Sequence, residues 1–440
     1  MQARMLSTFL RAVFAMVAAV LFVTGAWAAD HQSILNNFGN GTDGVAPSGG
    51  LIRDSAGNFY GVTTMGGIGG GGNCYFGCGT IFELSPAPGG GWTETVLYLF
   101  DGSEGIYPAG SLIMDAAGNL YGATSYDGGP YDGGTIFELS PSPAGWTETV
   151  LHTFGDNGNG FDPNDGRTPN GSLVMDAAGN LYGATADGGT HGYGTVFEVS
   201  PSQGGGWTET VLYSFGNVPD GDGPLGSVIM DSAGNLYGTT YQGGQGGGFC
   251  QGSGCGTVFE LSPVAGGGWT ETILHSFQAN DGFGLRASLV MDGEGNLYGT
   301  AYQGGNLSVC APFGCGTAFE LSPVAGGGWT ETTLYSFNGQ PDAGYPLTPL
   351  ILDAAGNLYG TTQAGGNGNA GTVFKLSPAQ GGWREALPYS FTRDSGQGPS
   401  SPLFLDRFGN LYGEGGGGTY DGGIVYELTP PSIRLGPATR

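Results

Sequence analysis

Six cysteines fall in three close pairs, in NCYFGCGT (Cys74, Cys78), FCQGSGCGT (Cys250, Cys255) and VCAPFGCGT (Cys310, Cys315). Each pair stands just before a Gly-Thr dipeptide that opens an apolar stretch, so the three share one structural position. Thiols this close have two uses, as a local disulfide or as half of a metal site. Zinc takes four ligands, and no histidine lies beside any pair. In an oxidising compartment the disulfide is the favoured reading, each bridge closing one long loop at its base.

Oxygen ligands concentrate in two other stretches, DNGNGFDPNDG and DGDG. They make Asp156, Asp162, Asp165, Asp220 and Asp222 calcium candidates, because calcium is held by oxygens on flexible loops. Neither stretch has the full D-x-[DN]-x-[DN]-G…E spacing, and solvated turns are the competing reading. No other cofactor is expected. The four histidines, His31, His152, His191 and His275, are expected neither at equivalent positions nor in a cluster. His152 and His275 replace the Tyr of a recurring LYSF segment and read as packing residues, and only His191 stands in a variable loop.

The remaining acids are mostly periodic. Asp54, Asp115, Asp176, Asp231, Asp292, Asp353 and Asp406 each open the phrase Asp-x-x-Gly-Asn-(Leu/Phe)-Tyr-Gly, at intervals of 61, 61, 55, 61, 61 and 53 residues. Glu83, Glu138, Glu198, Glu260, Glu320 and Glu427 recur in a second phrase, GTIFELSP and its variants. Glu94, Glu148, Glu209, Glu271, Glu331 and Glu385 recur in a third, GWTETVLYSF and its variants. A carboxylate repeated at every unit is expected to close turns or bond neighbouring units, whereas an active site needs its groups once. Lys375 interrupts the second series.

Each unit supplies four short strands, as in SLIMD (Ser111–Asp115), NLYGAT (Asn119–Thr124), GTIFELS (Gly134–Ser140) and WTETVLHTF (Trp146–Phe154). Asp and Gly between the first two give tight hairpin chemistry. Four strands in seven units predict an all-β protein, a seven-bladed β-propeller with four-stranded blades. The last unit lacks a Trp strand, and the segment Ser33–Phe38 (SILNNF) resembles the end of one. The N-terminal strand is therefore expected to complete the last blade and close the ring, which removes an exposed sheet edge.

These three phrases together resemble the GloVer tandem repeat, found in bacterial exported proteins of the choice-of-anchor type. The resemblance covers residues 29–430 and implies an exported repeat protein of open function. Family members often carry a C-terminal anchor; the tail 431–440 (PSIRLGPATR) departs from that pattern by lacking an apolar segment.

Residues 1–28 read as a signal peptide: Arg4 and Arg11 precede the apolar run Ala12 to Thr24, and Ala26-Trp27-Ala28 is a small-x-small cleavage site. The run is shorter than the ~20 residues a membrane-spanning helix needs. A secreted, periplasmic or envelope location is expected, with no integral membrane segment after cleavage. The chain carries 11 Lys+Arg against 37 Asp+Glu, a formal net charge of −26, which argues against nucleic-acid and anionic-lipid partners. A monomer is expected.

The loops expected on one face of the ring are nearly constant, while those on the other differ in every unit. Binding is expected on the variable face, with carbohydrate or protein as partner. The first strands read LIR, LIM, LVM, VIM, LVM, LIL and LFL before each Asp, so an apolar channel broken only by Arg53 is expected. That offers no positioned base, and no catalytic residue is assigned. Two alternatives stay open: a hydrolase or lyase acting on a glycan or lactone at the channel mouth, and a structural envelope or matrix component.

Overall fold

Each Asp-x-x-Gly-Asn hairpin closes on its own aspartate. Asp54 Oδ1 accepts the amides of Gly57 and Asn58 at 2.7 and 2.8 Å, and Oδ2 accepts Asn58 Nδ2 and the Tyr60 hydroxyl at 2.9 and 3.2 Å. The Asn and Tyr bonds recur at every copy through Asp406. The computed structural model describes residues 31–67, 74–126, 132–155, 162–216, 218–245, 250, 252–393 and 395–430. The expected signal peptide, the tail and Asp156 lie outside them.

Blade 2 shows the plan. Ile106–Met114, Leu120–Tyr126, Thr135–Ser142 and Gly145–Thr153 pair antiparallel in that order. Seven such sheets stand around one axis, a seven-bladed β-propeller with blades in sequence order, blade 1 starting at Val45. The ring closes as expected: His31–Asn37 pairs antiparallel with Ile424–Thr429, setting Ser33 opposite Glu427 in blade 7. No helix among the described residues is long and apolar enough to cross a membrane.

One aromatic contact is repeated at every seam between blades. The Phe ending each fourth strand meets the aromatic of the next blade's third strand, as in Phe154–Phe197 at 4.9 Å. Phe38 meets Phe82 at the same 4.9 Å, so the closing seam is built like the others. Phe82, Phe137 and Phe197 are fully buried, each worth roughly 1.5–3 kcal/mol by area removed from water. This ring also explains the Gly of the Leu-Tyr-Gly phrase. A Cβ on Gly61 would lie 2.5 Å from Phe82 Cζ, a distance no real contact reaches.

A backbone bond joins the blades as well. Ala46, Tyr107, Thr168, Gly223, Gly284, Tyr345 and Gly398, one in each blade, all have positive φ. That turn aims each N–H at the previous blade, as from Tyr107 to the Cys78 carbonyl at 2.9 Å and from Thr168 to Gly133 at 2.7 Å. Non-Gly residues rarely hold such a φ unless the surroundings enforce it.

The channel differs from the apolar wall read from sequence. Leu51, Leu112, Leu173, Val228, Leu289, Leu350 and Leu403 turn into the blades, 1–6% exposed. The axis is lined by the segment just before them, including Ser48, Gly110, Asn170, Ser227, Arg286 and Ser400, around a cavity of about 240 Å³. Here the inner strand leaves its ladder, with register shifts at Ser48/Ile52 and Ala109/Ile113. Serines stitch this waist. The amides of Ser111, Ser172 and Ser227 donate to the hydroxyls of Ser172, Ser227 and Ser288 at 2.7, 2.6 and 2.7 Å, and the Ser111 hydroxyl donates to the Gly49 carbonyl.

Candidate functional site

The variable face gathers its chemistry around Arg286 at the channel mouth. Six blades carry Ser48, Ala109, Asn170, Leu225, Leu347 or Ser400 at the equivalent place, so blade 5 alone brings a cation there. Arg286 is exposed, and its guanidinium lies over two rings, Tyr302 of its own blade at 4.6 Å and Tyr241 of blade 4 at 5.1 Å. Nη2 also approaches the Tyr241 hydroxyl at 3.5 Å. The Tyr302 hydroxyl donates to Gln363 Oε1 at 2.8 Å, and its ring lies 5.3 Å from Tyr345. One cationic group, three rings and an amide thus line a single mouth.

Two of the three cysteine loops, in blades 4 and 5, border it. Cys74–Cys78, Cys250–Cys255 and Cys310–Cys315 are disulfides with Cα separations of 5.1, 5.3 and 5.5 Å. Cys255 and Cys315 also give their carbonyls to Gly284 and Tyr345 of the next blade, at 3.3 and 2.7 Å. Cys250, Cys255, Tyr241 and Phe283 line a second cavity of about 230 Å³. Tyr241 lines this second cavity and also carries the Arg286 guanidinium over its ring, so the stapled loop of blade 4 adjoins the Arg286 stack.

Each seam also carries a polar cluster on its outer side. In blades 3 and 5 a tyrosine of the fourth strand donates to an aspartate in the following loop, Tyr213 to Asp220 and Tyr335 to Asp342, both at 3.0 Å. Tyr335 also bonds Glu385 of the next blade at 3.2 Å. Burial, reinforced by the neighbouring Asp342, pushes the Glu385 carboxyl up to about 8. Burial first, then the Asp165 and Asp162 charges, puts Glu209 there too.

The histidines correct the sequence reading. His152 and His275 do occupy equivalent positions, in the tyrosine place of blades 2 and 4, and each sits in a cluster. Nε2 of each lies 3.2 Å from a carboxylate, Asp165 and Asp281 respectively. They also pack edge-on against Phe154 and Phe277, so packing describes half of their role. His191 is exposed on its variable loop.

The calcium candidates divide. Asp162 and Asp165 line one cavity of about 410 Å³ with His152 and Glu209. Asp220 spends its oxygens on the amides of Gly216 and Gly221 at 2.6 and 2.7 Å and on Tyr213. Asp222 lies beside Asp187, and burial together with that charge raises its carboxyl. Nothing draws Asp220 and Asp222 onto a common point.

Sequence reasoning missed Arg286, whose signal was an outlier among otherwise matching repeats. It missed Glu414 for the same reason, where other blades carry Val62, Ala123, Ala184, Thr239, Thr300 or Thr361. Glu414 is fully buried behind the channel wall, its Oε2 accepting the Gly50 amide at 3.2 Å. Burial pushes it up to about 8 against that bond and Ser401.

Fold and site together define a seven-bladed propeller made from one tandem repeat, with a constant frame and an individual loop face. The chain belongs to the Gloeobacter/Verrucomicrobia repeat family, whose sequence model matches residues 23–164, 157–330 and 249–435. Among solved structures it is similar to the extracellular domain of a putative hybrid two-component system from B. thetaiotaomicron, with a TM-score of 0.51 at 11% identity. That likeness covers 90% of this chain and 40% of the other, so this chain spans well under half of that protein's length. No curated protein matches it.

Proposed function

We propose that this chain is an exported binding protein whose variable face takes up a carboxylate-bearing carbohydrate at the channel mouth. The observation behind this reading is Arg286 held between Tyr302 and Tyr241 at 4.6 and 5.1 Å. Stacking covers the flat faces of the guanidinium and leaves its N–H edge, the part that grips a carboxylate in bidentate fashion. A hollow with a few convergent polar groups and aromatic walls is the usual form of a small-ligand site. On a chain of net charge −26, a cation at the rim gives an acidic sugar a locally favourable approach. The disulfides agree with export, and the similar solved structure is itself an extracellular domain.

The test is an array of uronic-acid and neutral oligosaccharides probed with residues 29–440, in calcium and in chelator. Binding to the acidic set is expected, with Arg286→Gln weakening it at least tenfold, as loss of a charged hydrogen bond does. Binding unaltered in Arg286→Gln, or absent from every acidic spot, would overturn the reading and turn attention to a protein partner.

A further inference from the structure

We propose that two seams of the ring each bind a divalent transition-metal ion, one through His152, Asp165 and Glu209, the other through His275, Asp281 and Glu331. In each set one imidazole nitrogen and two carboxylate oxygens lie within 4.8 Å of one another. The Nε2–Oδ2 separation is 3.2 Å in both. An ion about 2.1 Å from each atom, the ordinary length for zinc, would see them at roughly 100°.

The aspartates are already aimed. Asp165 is fixed by the amides of Gly155 and Gly166 at 2.8 and 2.7 Å, and Asp281 by Gln278 at 2.6 Å. Backbone bonds of this kind orient a ligand carboxylate and leave it a free lone pair. Glu209 Oε1 is buried with no hydrogen-bond partner in the protein, in a place where such an oxygen costs stability. The hollow of about 410 Å³ that these residues line gives an ion access and room for water, with Asp162 and Asn164 in its wall.

The other seams make the case by contrast. Where blades 3 and 5 have Tyr213 and Tyr335, the phenol fills the same place by donating to Asp220 and Asp342 at 3.0 Å. A neutral phenol is a donor there, whereas neutral imidazole presents a lone pair to a cation. Exchanging Tyr for His at two seams turns a hydrogen-bonded junction into a nitrogen–oxygen ligand set. One nitrogen and two carboxylates suit zinc and its first-row neighbours better than calcium. Neither set shares a residue with the Arg286 stack, and the proposal stands independently of the ligand reading.

The native repeat supplies the control. His152→Tyr and His275→Tyr install the residue that blades 3 and 5 use, so the ring is expected to fold, checked by an unchanged Tm in chelator. Metal-stripped protein is titrated with Zn²⁺ by equilibrium dialysis. Two zinc ions per chain are expected, one in either single variant and none in the double variant, with Glu209→Gln weakening its seam at least tenfold. A wild type that binds no zinc, or a stoichiometry indifferent to both Tyr substitutions, overturns the proposal.

Discussion

Six of the hairpin aspartates and the glutamates of the Trp strands are chemically opposite. At Asp54, Asp115, Asp176, Asp231, Asp292 and Asp353 burial alone would raise the carboxyl, but bonds from the Asn, the turn amides and the Tyr outweigh it and hold it low. Their contribution is present at neutral pH and lost as pH falls through their lowered pKa. Burial instead pushes Glu94, Glu148 and Glu271 up to about 7, and Glu209 and Glu385 up to about 8, from 4.5. A carboxyl raised in the fold favours folding while protonated. That contribution is complete below about 4.5 and is lost as pH rises through about 7 to 8. In chelator, Tm is therefore expected to fall between pH 5 and pH 8.5. Glu209→Gln and Glu385→Gln should each flatten the slope; slopes identical to wild type would refute the assignment.

At the scale of strands and loops, the disulfides have a local and a positional effect. Each closes a loop of four or five residues, which in the chain-entropy picture stabilises the fold by roughly 2 kcal/mol. Replacing Cys250 and Cys255 by Ser should cost about that amount in a denaturant titration and also loosen the cavity wall formed by Tyr241, over whose ring Arg286 lies. The Cys74/Cys78 pair, in blade 1, should cost similar stability and leave acidic-sugar binding unchanged. Equal binding loss in both double variants would show that the effect is general unfolding. The position of these pairs was readable because each precedes a Gly-Thr strand. The stack on Arg286 was not, because Tyr241 stands 45 residues earlier, in another blade.

For the whole ring the decisive element is His31–Asn37. It fills the edge of Ile424–Thr429 and brings Phe38 onto Phe82. Removing residues 31–38 should expose that edge and open the seam between blades 7 and 1. The expected result is association in light scattering and a broadened unfolding transition. A monomer that unfolds as sharply as the full chain would mean the ring does not depend on this strand. This closure was legible because an unfinished unit stood at each end of the sequence.

The sequence by itself determined the number of blades, their strands, the turn chemistry and the closure, because each follows from local pattern and exact repetition. It also marked the cysteine pairs, which need only their neighbours. Tertiary structure alone decided what faces the axis. The inner strands leave their ladder there, so mostly small residues, serines and glycines foremost, line the channel and the first residue of each apolar triplet turns into its blade. It decided as well that His152 meets Asp165 and Glu209, and that Arg286 meets two tyrosines. Those meetings cross seams between blades, and the period of a repeat carries no information about which exceptional residues become neighbours across one.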